Sequence, residues 1–141
     1  MSENCICGSA KLTVNCCGPL LNLKKVAKTP VQLMRSRYSA YALGGHGDYL
    51  LSTLHPTMTQ GLTSADLSIR SVDWIRLEIL NKSQQADNGQ VEFKAYFLNF
   101  DGQEQVQHEK SIFKRMNGRW FYVGDRFLEV VVNRLNSGPR V

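Results

Sequence analysis

The sequence has no cysteine after residue 17 and no apolar run of the length that a membrane span requires, about 20 residues. Its polar first residues lack the basic and then apolar layout of a signal peptide. We therefore expect a cytoplasmic protein with no membrane partner. Apolar residues make up 43% of the 141 residues and charged residues 21%. This composition excludes a disordered or coiled-coil chain and predicts one domain with appendages.

Acidic residues are scarce at the start of the chain. Residues 1–28 carry four lysines and a single acidic residue, Glu3, so most of the net charge of +5 lies there. A basic arm of this kind can contact phosphate or an acidic protein surface. Its density of lysine and arginine is below that of a dedicated nucleic-acid-binding protein, so we do not expect a nucleic-acid partner.

The four cysteines form two close pairs, Cys5 with Cys7 and Cys16 with Cys17. Adjacent cysteines rarely bridge each other without strain, and a reducing compartment disfavours disulfides. Two thiolate pairs joined by a short turn can converge on one tetrahedral ion, and soft sulfur ligands select zinc over magnesium or calcium. Four protein ligands leave no position for water or substrate. We therefore predict a structural Zn²⁺ site, whose net charge of −2 the lysines of the arm would offset.

The pattern Cys-x-Cys-x-Ser followed by Cys-Cys-Gly, at residues 5–9 and 16–18, resembles the SEC-C zinc motif. Known SEC-C motifs lie at the tail of the SecA translocation ATPase and in many small bacterial proteins, where they bind partners. The resemblance implies a protein or ribosome-associated partner that docks on the zinc arm. SEC-C motifs usually carry Gly, Lys, Lys and an aromatic residue where this chain has Ala10, Lys11, Leu12 and Thr13.

Helical signals follow a segment, residues 18–28, that we predict to be a linker. Thr29 and Pro30 supply an N-cap and a first helical residue, and Gly44 and Gly45 supply an end. At about 100° per residue, one stripe of this helix carries the apolar side chains Val31, Met34, Tyr38, Tyr41 and Ala42. The side chains predicted to point away from it are Gln32, Ser36, Ser39 and Ala40, with Arg35 and Arg37 at its two edges.

Two shorter helices are predicted after the first. Asp48 can cap one that ends at His55 and Pro56, and Thr63 with Asp66 can begin another.

The hydrophobic period changes to two after residue 73. Ile75, Leu77 and Ile79 align on one face of a predicted strand at residues 74–80. The dipeptides at residues 101–102 and 117–118, Asp-Gly and Asn-Gly, are two-residue hairpin signals. They predict an antiparallel meander with strands at residues 90–100, 103–116 and 119–123. Helices followed by a sheet indicate an α+β fold.

The two hairpin signals disagree about which face of this sheet is buried. Counting from residues 117–118 pairs Phe113 with Tyr122 and Arg115 with Trp120, and places residues 109 and 111 on the same side. Counting from residues 101–102 places Phe93 and Phe97 on the other side. Either a bulge shifts the register within residues 103–116, or both faces are buried, one of them in a homodimer.

Several motifs recur in the order found in the YchJ family of uncharacterised bacterial proteins, which this chain resembles over roughly residues 5–125. They are residues 34–41 (MRSRYSAY), 48–50 (DYL), 55–56 (HP), Glu109 with Ser111 and Phe113, and 117–122 (NGRWFY). The resemblance implies a SEC-C zinc arm at residues 1–19 and a linker at 20–29. It further implies a nuclear-transport-factor-2-like (cystatin-like) cone at 30–125, with helices packed on a curved antiparallel sheet around a pocket. Residues 126–141 would form a C-terminal tail, without the second SEC-C motif of some family members.

The mouth of such a cone is the expected ligand pocket. Eight residues at family motif positions are candidates to line it: Arg35, Tyr38, His55, Trp74, Glu109, Ser111, Trp120 and Tyr122. A carboxylate, a histidine and an arginine among aromatic walls can perform acid–base chemistry or hold an anionic ligand. Each also has a structural explanation: Glu109 can pair with Arg35 or Arg37, His55 can end a helix, and the aromatic rings can fill the core.

Two functional hypotheses follow from these features. The favoured one is a non-catalytic binding or adaptor module, with a zinc arm that docks on a partner and a cone that holds a peptide or small molecule. The other is a small cofactor-free enzyme, isomerase- or dehydratase-like, with Glu109 or His55 as base and Arg35 or Tyr38 stabilising an oxyanion. The chain has no phosphate loop, nucleophile elbow or HExxH run, so hydrolase and kinase classes lose support.

Overall fold

The computed structural model describes residues 3–70, 72–125 and 141, and it has helices in the first half and a sheet in the second. The helices are α1 (Gly18–Leu21), α2 (Pro30–Leu43), α3 (Gly47–Ser52) and α4 (Ser64–Leu67). The strands are β1 (Asp73–Gln85), β2 (Asn88–Leu98), β3 (Glu104–Met116) and β4 (Arg119–Asp125). They form an antiparallel sheet in the order β1-β2-β3-β4. The predicted α+β class is confirmed. None of the helices in the described ranges is long and apolar enough to cross a bilayer.

Helix α2 begins where the sequence predicts. The Oγ1 atom of Thr29 accepts a hydrogen bond from the Gln32 N–H (3.1 Å), and Pro30 occupies the first helical position, where its missing N–H is not needed. The prediction that one stripe alone is buried is wrong, because Ser36, Ser39 and Ala40 are fully buried as well. The helix therefore has neighbours on more than one side.

The additional neighbours of α2 are α3 and the cysteine arm. The Oγ atom of Ser36 lies 2.5 Å from the Tyr49 hydroxyl of α3, and Ser39 Oγ lies 3.9 Å from Cys5 Sγ. The predicted linker is likewise a packed segment: it contains α1, and its Leu20, Leu21 and Ala27 are buried. Arm, linker and α2 thus share one core.

The two short helices differ in how well their caps were predicted. Thr63 caps α4 as expected, since its Oγ1 accepts a hydrogen bond from the Asp66 N–H (3.1 Å). Asp48 is not a cap, because α3 begins one residue before it and Asp48 lies in the first turn.

The register of the sheet resolves the disagreement between the hairpins. As predicted, β3 and β4 pair Phe113 with Tyr122 and Arg115 with Trp120. Strands β2 and β3, however, pair Phe93 with Glu109, so both belong to the same buried face. Neither a bulge within β3 nor a second buried face is needed to reconcile the two counts.

The reason is the length of the β2–β3 loop. The backbone N–H of Asn99 donates to the Gln103 carbonyl (3.0 Å), and the Gly102 N–H donates to the Asn99 carbonyl (2.9 Å). Three residues, not two, therefore form the connection, with Gly102 in the left-handed region at φ 79°. This is the three-residue hairpin with a type I turn, and the extra residue reverses the side-chain parity of β3.

Strand β1 differs from its predicted alternation at one residue. Its pairing with β2 shifts register between Trp74 and Arg76. As a result Trp74 and Leu77 point into the core, while Ile75, predicted to be on the buried face, is 40% exposed. The predicted tail, residues 126–141, lies outside the described residues except for Val141.

Candidate functional site

The four cysteine sulfurs meet where the arm folds against α2. Every pair of these Sγ atoms lies within 4.8 Å, with Cys7 to Cys16 at 3.6 Å and Cys16 to Cys17 at 4.0 Å. A tetrahedral ion with metal–sulfur bonds of about 2.3 Å places its sulfurs about 3.8 Å apart. All four are free thiols. The cluster can therefore hold one metal ion.

Short backbone elements bring these thiols together. The Cys5 N–H donates to the Lys11 carbonyl (2.7 Å), and the Gly8 N–H donates to the Cys5 carbonyl (3.1 Å). Gly8 has a φ of 81°, a conformation that favours glycine, so the chain turns sharply after Cys7. A 3₁₀ turn at Thr13–Asn15 then brings Cys16 and Cys17 close to Cys5 and Cys7.

Polar groups from the arm and from α2 surround the thiols. Arg35 Nη1 donates to the Cys7 carbonyl (2.7 Å) and lies 3.9 Å from its sulfur. The Oγ atom of Ser9 is 3.1 Å from Cys16 Sγ, and Ser39 Oγ lies beside Cys5. Such contacts orient metal ligands and stabilise thiolate charge. Ser9 belongs to the cysteine motif found in the sequence. Ser39 lies in the family motif at residues 34–41 but was predicted to point away from the buried stripe of α2.

The thiols of the cluster differ in the direction in which their pKa values are shifted. A hydrogen bond with Cys17 lowers the pKa of the Cys7 thiol to about 4. The same bond, together with burial, raises the pKa of Cys17, and burial raises the pKa of Cys16. The surroundings thus favour the thiolate form at Cys7 and the protonated form at Cys16 and Cys17, and the binding of a metal ion by these thiols is accompanied by the release of protons.

A second group of candidate residues forms a buried polar cluster on the inner face of the sheet. Glu109, only 4% exposed, accepts hydrogen bonds from Gln107 Nε2 (3.0 Å), Ser111 Oγ (3.1 Å) and the Tyr122 hydroxyl (3.2 Å). The backbone N–H of Val141 donates to the Oε1 atom of Gln107 (3.0 Å). Three of the eight predicted pocket residues therefore lie together here.

The predicted pairing of Glu109 with an arginine of α2 is wrong. Arg35 is engaged by Cys7, and Arg37 Nη1 donates to the Leu50 carbonyl (2.9 Å) and to Thr53 Oγ1 (2.7 Å). Both guanidinium groups thus donate to backbone carbonyls, and that of Arg37 also to the Thr53 hydroxyl, rather than to the carboxylate.

The remaining predicted pocket residues lie in other surroundings. Tyr38 is fully buried, with its ring edge-on to Trp74 at 6.2 Å. Trp120 Nε1 donates to the Lys28 carbonyl (3.3 Å), close to the start of α2. His55 Nδ1 accepts from the Thr57 N–H (3.2 Å) and so caps the start of the 3₁₀ turn Pro56–Met58. The prediction that it ends a helix is wrong, because α3 already ends at Ser52. A ligand-binding role for these eight residues stays a prediction.

Comparisons with known proteins match this architecture. Residues 29–125 match the family described as "YchJ, middle NTF2-like domain". A UPF0225 protein from Sodalis glossinidius is 36% identical over 135 residues, which cover 91% of this chain and 86% of the relative. UPF0225 protein YchJ from Shigella dysenteriae is 38% identical over 127 residues, covering 87% and 82%. The solution structure of a SEC-C motif containing protein from Rhodopseudomonas palustris superposes with a TM-score of 0.81 at 38% identity, covering 89% of this chain and 99% of that one. The predicted NTF2-like fold is confirmed.

Proposed function

Because this chain belongs to the YchJ (UPF0225) family, we propose that it is a non-catalytic binding module whose arm, shaped by a structural Zn²⁺ ion, docks on a protein partner. The closed set of four thiols carries the proposal. Four sulfur ligands complete a tetrahedral shell and leave no position for a substrate or an activated water. Zinc is the metal that such a soft, tetrahedral ligand set favours among the common divalent ions.

The outer surface of the arm supports a docking role. Ile6, Leu12 and Val14 are 40%, 38% and 59% exposed, although the arm is short and has little apolar surface to spare for display. Exposed apolar side chains of this kind can contribute to a protein–protein contact. The arm is also fixed against α2 through Arg35 and Ser39, so it presents this surface in one orientation.

Metal content tests the zinc site directly. We expect native mass spectrometry of the untagged protein, prepared with its thiols reduced, to show one zinc per chain, and elemental analysis to identify the metal. Cys16→Ser with Cys17→Ser removes two ligands and abolishes metal binding, whereas Ile6→Ser, an exposed change between two ligands, retains it. Absence of metal from the wild-type protein would refute the site, and another thiophilic metal would refute zinc.

Partner capture tests the docking role. We expect proteins cross-linked to the wild-type chain in a bacterial lysate, once identified by mass spectrometry, to be lost with the double cysteine variant and retained with a variant of the cone, Glu104→Gln. Equal capture by the double cysteine variant, with its circular dichroism unchanged, would reject the arm as the docking element.

The buried cluster around Glu109 is the observation that favours the second candidate, a cofactor-free enzyme. A carboxylate beside two hydroxyl groups on the inner face of a cone has the composition of an acid–base site. Arg35, one of the two residues predicted from sequence to stabilise an oxyanion, contacts Cys7 in the arm instead. Among the described residues, the cluster therefore combines a carboxylate with two hydroxyl groups but does not include Arg35.

Glu109→Gln separates a structural role of this carboxylate from a chemical one. Ser111 and Tyr122 both donate to the same oxygen, and an amide nitrogen at that position cannot accept either bond. We expect the free energy of unfolding to fall by about 1–3 kcal/mol, measured by urea denaturation followed by tryptophan fluorescence. The matched change Glu104→Gln, on the same strand, weakens only an exposed ion pair with Arg76 (2.9 Å) and should lower the free energy of unfolding by at most about 1 kcal/mol. An unchanged midpoint for Glu109→Gln would show that the fold does not need this carboxylate and would favour the enzyme.

A further inference from the structure

A groove of about 1010 Å³ runs between the cysteine arm, the segment through α1, and the first turns of α2, and we call it the basic groove. Its cationic side chains come from all of these elements and from β1: Lys11, Lys24, Lys25, Lys28, Arg35 and Lys82. None of its lining residues is acidic. The groove lies directly against the metal cluster, since Cys16 and Cys17 form part of its wall.

The charge of the basic groove is not neutralised by the protein. Within residues 3–70 and 72–125, none of its five lysines forms a salt bridge, and all five are exposed. A Zn²⁺ ion with four thiolates would supply a charge of −2, against six positive charges in the groove. The excess of positive charge therefore remains available to an anionic partner.

Apolar side chains line the same groove. Leu23 and Val26 are 62% and 46% exposed, and Leu20 and Val31 line the groove together with them. Leu23 is unusual because it follows the end of α1 with a φ of 64°. Glycine or asparagine is the preferred residue in this left-handed position after a helix. A leucine here is conformationally unfavourable and gains little burial, so the fold of the chain does not explain it.

We propose that the basic groove binds an acidic segment of a protein partner whose aspartate or glutamate residues alternate with apolar side chains. The lysines of the groove form ion pairs with the carboxylates of this segment, and Leu23 and Val26 pack against its apolar side chains. No aromatic residue lines the groove, and single-stranded nucleic acids are usually held by base stacking on aromatic rings. A protein segment therefore fits this lining better than RNA. This inference rests on the docking role proposed above and specifies the chemistry of the partner.

Charge reversal tests the electrostatic part of the proposal. The probe is a fluorescein-labelled peptide in which Glu alternates with Leu, titrated with the metal-loaded full chain at low and high salt. Lys24→Glu with Lys25→Glu should weaken binding about tenfold or more at low salt, with a smaller effect at high salt. Lys110→Glu with Lys114→Glu, an equal change of charge on exposed residues of β3 outside the groove, should leave the affinity within about twofold. Equal effects of the two double variants would overturn the groove as the site.

Leu23→Asn tests the apolar part without harming the fold. Asparagine tolerates the left-handed backbone, so the thermal midpoint should stay the same or rise. The affinity for the Glu-Leu peptide should fall at least threefold, whereas affinity for the matching Glu-Ser peptide should not change. Unchanged affinity for the Glu-Leu peptide would reject apolar contact in the groove.

Two further measurements separate this proposal from its alternatives. A short single-stranded RNA that binds more tightly than the Glu-Leu peptide would overturn the proposal in favour of a nucleic-acid site. Metal content is measured on the same samples: full metal occupancy with no peptide binding refutes the groove alone, whereas peptide binding by a chain that contains no metal refutes the zinc arm and leaves the groove standing.

Discussion

Removal of the metal should release the arm from α2 while the sheet remains folded. Structural zinc sites supply about 10–16 kcal/mol of apparent binding free energy in zinc-finger peptides, and this energy is folding energy. The arm has few other sources of stability: its regular backbone pairing in the described structure is the bridge between Asn4 and Leu12, with a 3₁₀ turn after it. We therefore expect the arm to lose its fold when a chelator removes the ion.

Hydrogen exchange locates this loss. The amides of Cys5 and Thr13 bond to the carbonyls of Lys11 and Glu3 and should be protected only in the metal-loaded protein. Amides in the centre of the sheet, such as that of Phe93, should keep their protection after chelation. Exchange followed by mass spectrometry of peptides from the two regions gives both results in one experiment.

A cysteine variant checks that the chelator acts through the metal. Cys7→Ser should reproduce the loss of protection without chelator, because Cys7 is fully buried and its sulfur lies within the cluster. Ile6→Ser is the matched control and should behave like the wild-type protein. If the Cys5 amide stayed protected after complete removal of the metal, apolar packing alone would hold the arm, and the structural role of the ion would be refuted.

Local sequence signals were sufficient for several elements. Thr29 and Pro30 begin α2, Thr63 begins α4, and the turn at residues 117–118 sets the β3–β4 register. The spacing of the cysteines also predicted their convergence, because a short loop leaves two thiol pairs few other arrangements. In each case the determining contacts lie within a few residues in sequence.

Two features that the sequence did not predict have different causes, a tertiary contact in one case and the length of a loop in the other. Ser39 is polar and off the apolar stripe of α2, yet it is buried because the arm covers it. One additional residue in the loop at residues 100–102 reversed the parity of β3 and brought Glu109 to the face of Phe93. A period-two pattern fixes which residues share a face within a strand but not which face meets the core.

The structure places the residues of the predicted pocket in separate surroundings. Arg35 and Glu109 belong to motifs of one family, and the sequence placed them in one pocket. Among the described residues, Arg35 donates to the Cys7 carbonyl, and Glu109 accepts hydrogen bonds from Gln107, Ser111 and Tyr122, so the two motif residues lie in separate surroundings. The contact of Arg35 with Cys7 could not be derived from spacing, because it joins two distant segments of the chain. The partners of Glu109 are closer in sequence: Gln107 and Ser111 lie two residues to either side of it on the same face of β3.

Arg37→Met, in the middle of α2, should strongly lower the free energy of unfolding. Arg37 is 2% exposed, and its guanidinium group donates to the Leu50 carbonyl in the last turn of α3 and to Thr53. The guanidinium carbon also lies 4.8 Å from the centre of the Tyr122 ring in β4. One side chain thus ties α2 to the end of α3 and to the sheet.

The expected loss follows from what methionine leaves behind. It fills much of the volume but cannot donate, so the Leu50 carbonyl and the Thr53 hydroxyl lose their charged partner inside the core, and the favourable cation at a helix C-terminus disappears. We expect the free energy of unfolding to fall by about 3 kcal/mol, and the thermal midpoint to fall by about 10 °C, measured by differential scanning calorimetry. Arg37→Lys should recover part of this loss, since an ammonium group can keep one of the two bonds.

Arg115→Met is the matched control for this prediction. Arg115 also lies over an aromatic ring, 5.0 Å from the centre of Trp120, but its ion pair with Asp87 is partly exposed to solvent. Pairs of this kind contribute at most about 1 kcal/mol, so the midpoint should fall by only a few degrees. If Arg37→Met were as mild as Arg115→Met, the buried bonds to Leu50 and Thr53 would contribute no more than a surface pair. The junction of α2, α3 and β4 would then depend on its other contacts, among them the backbone hydrogen bonds of Tyr122 with Thr53 and His55 (2.8 Å each).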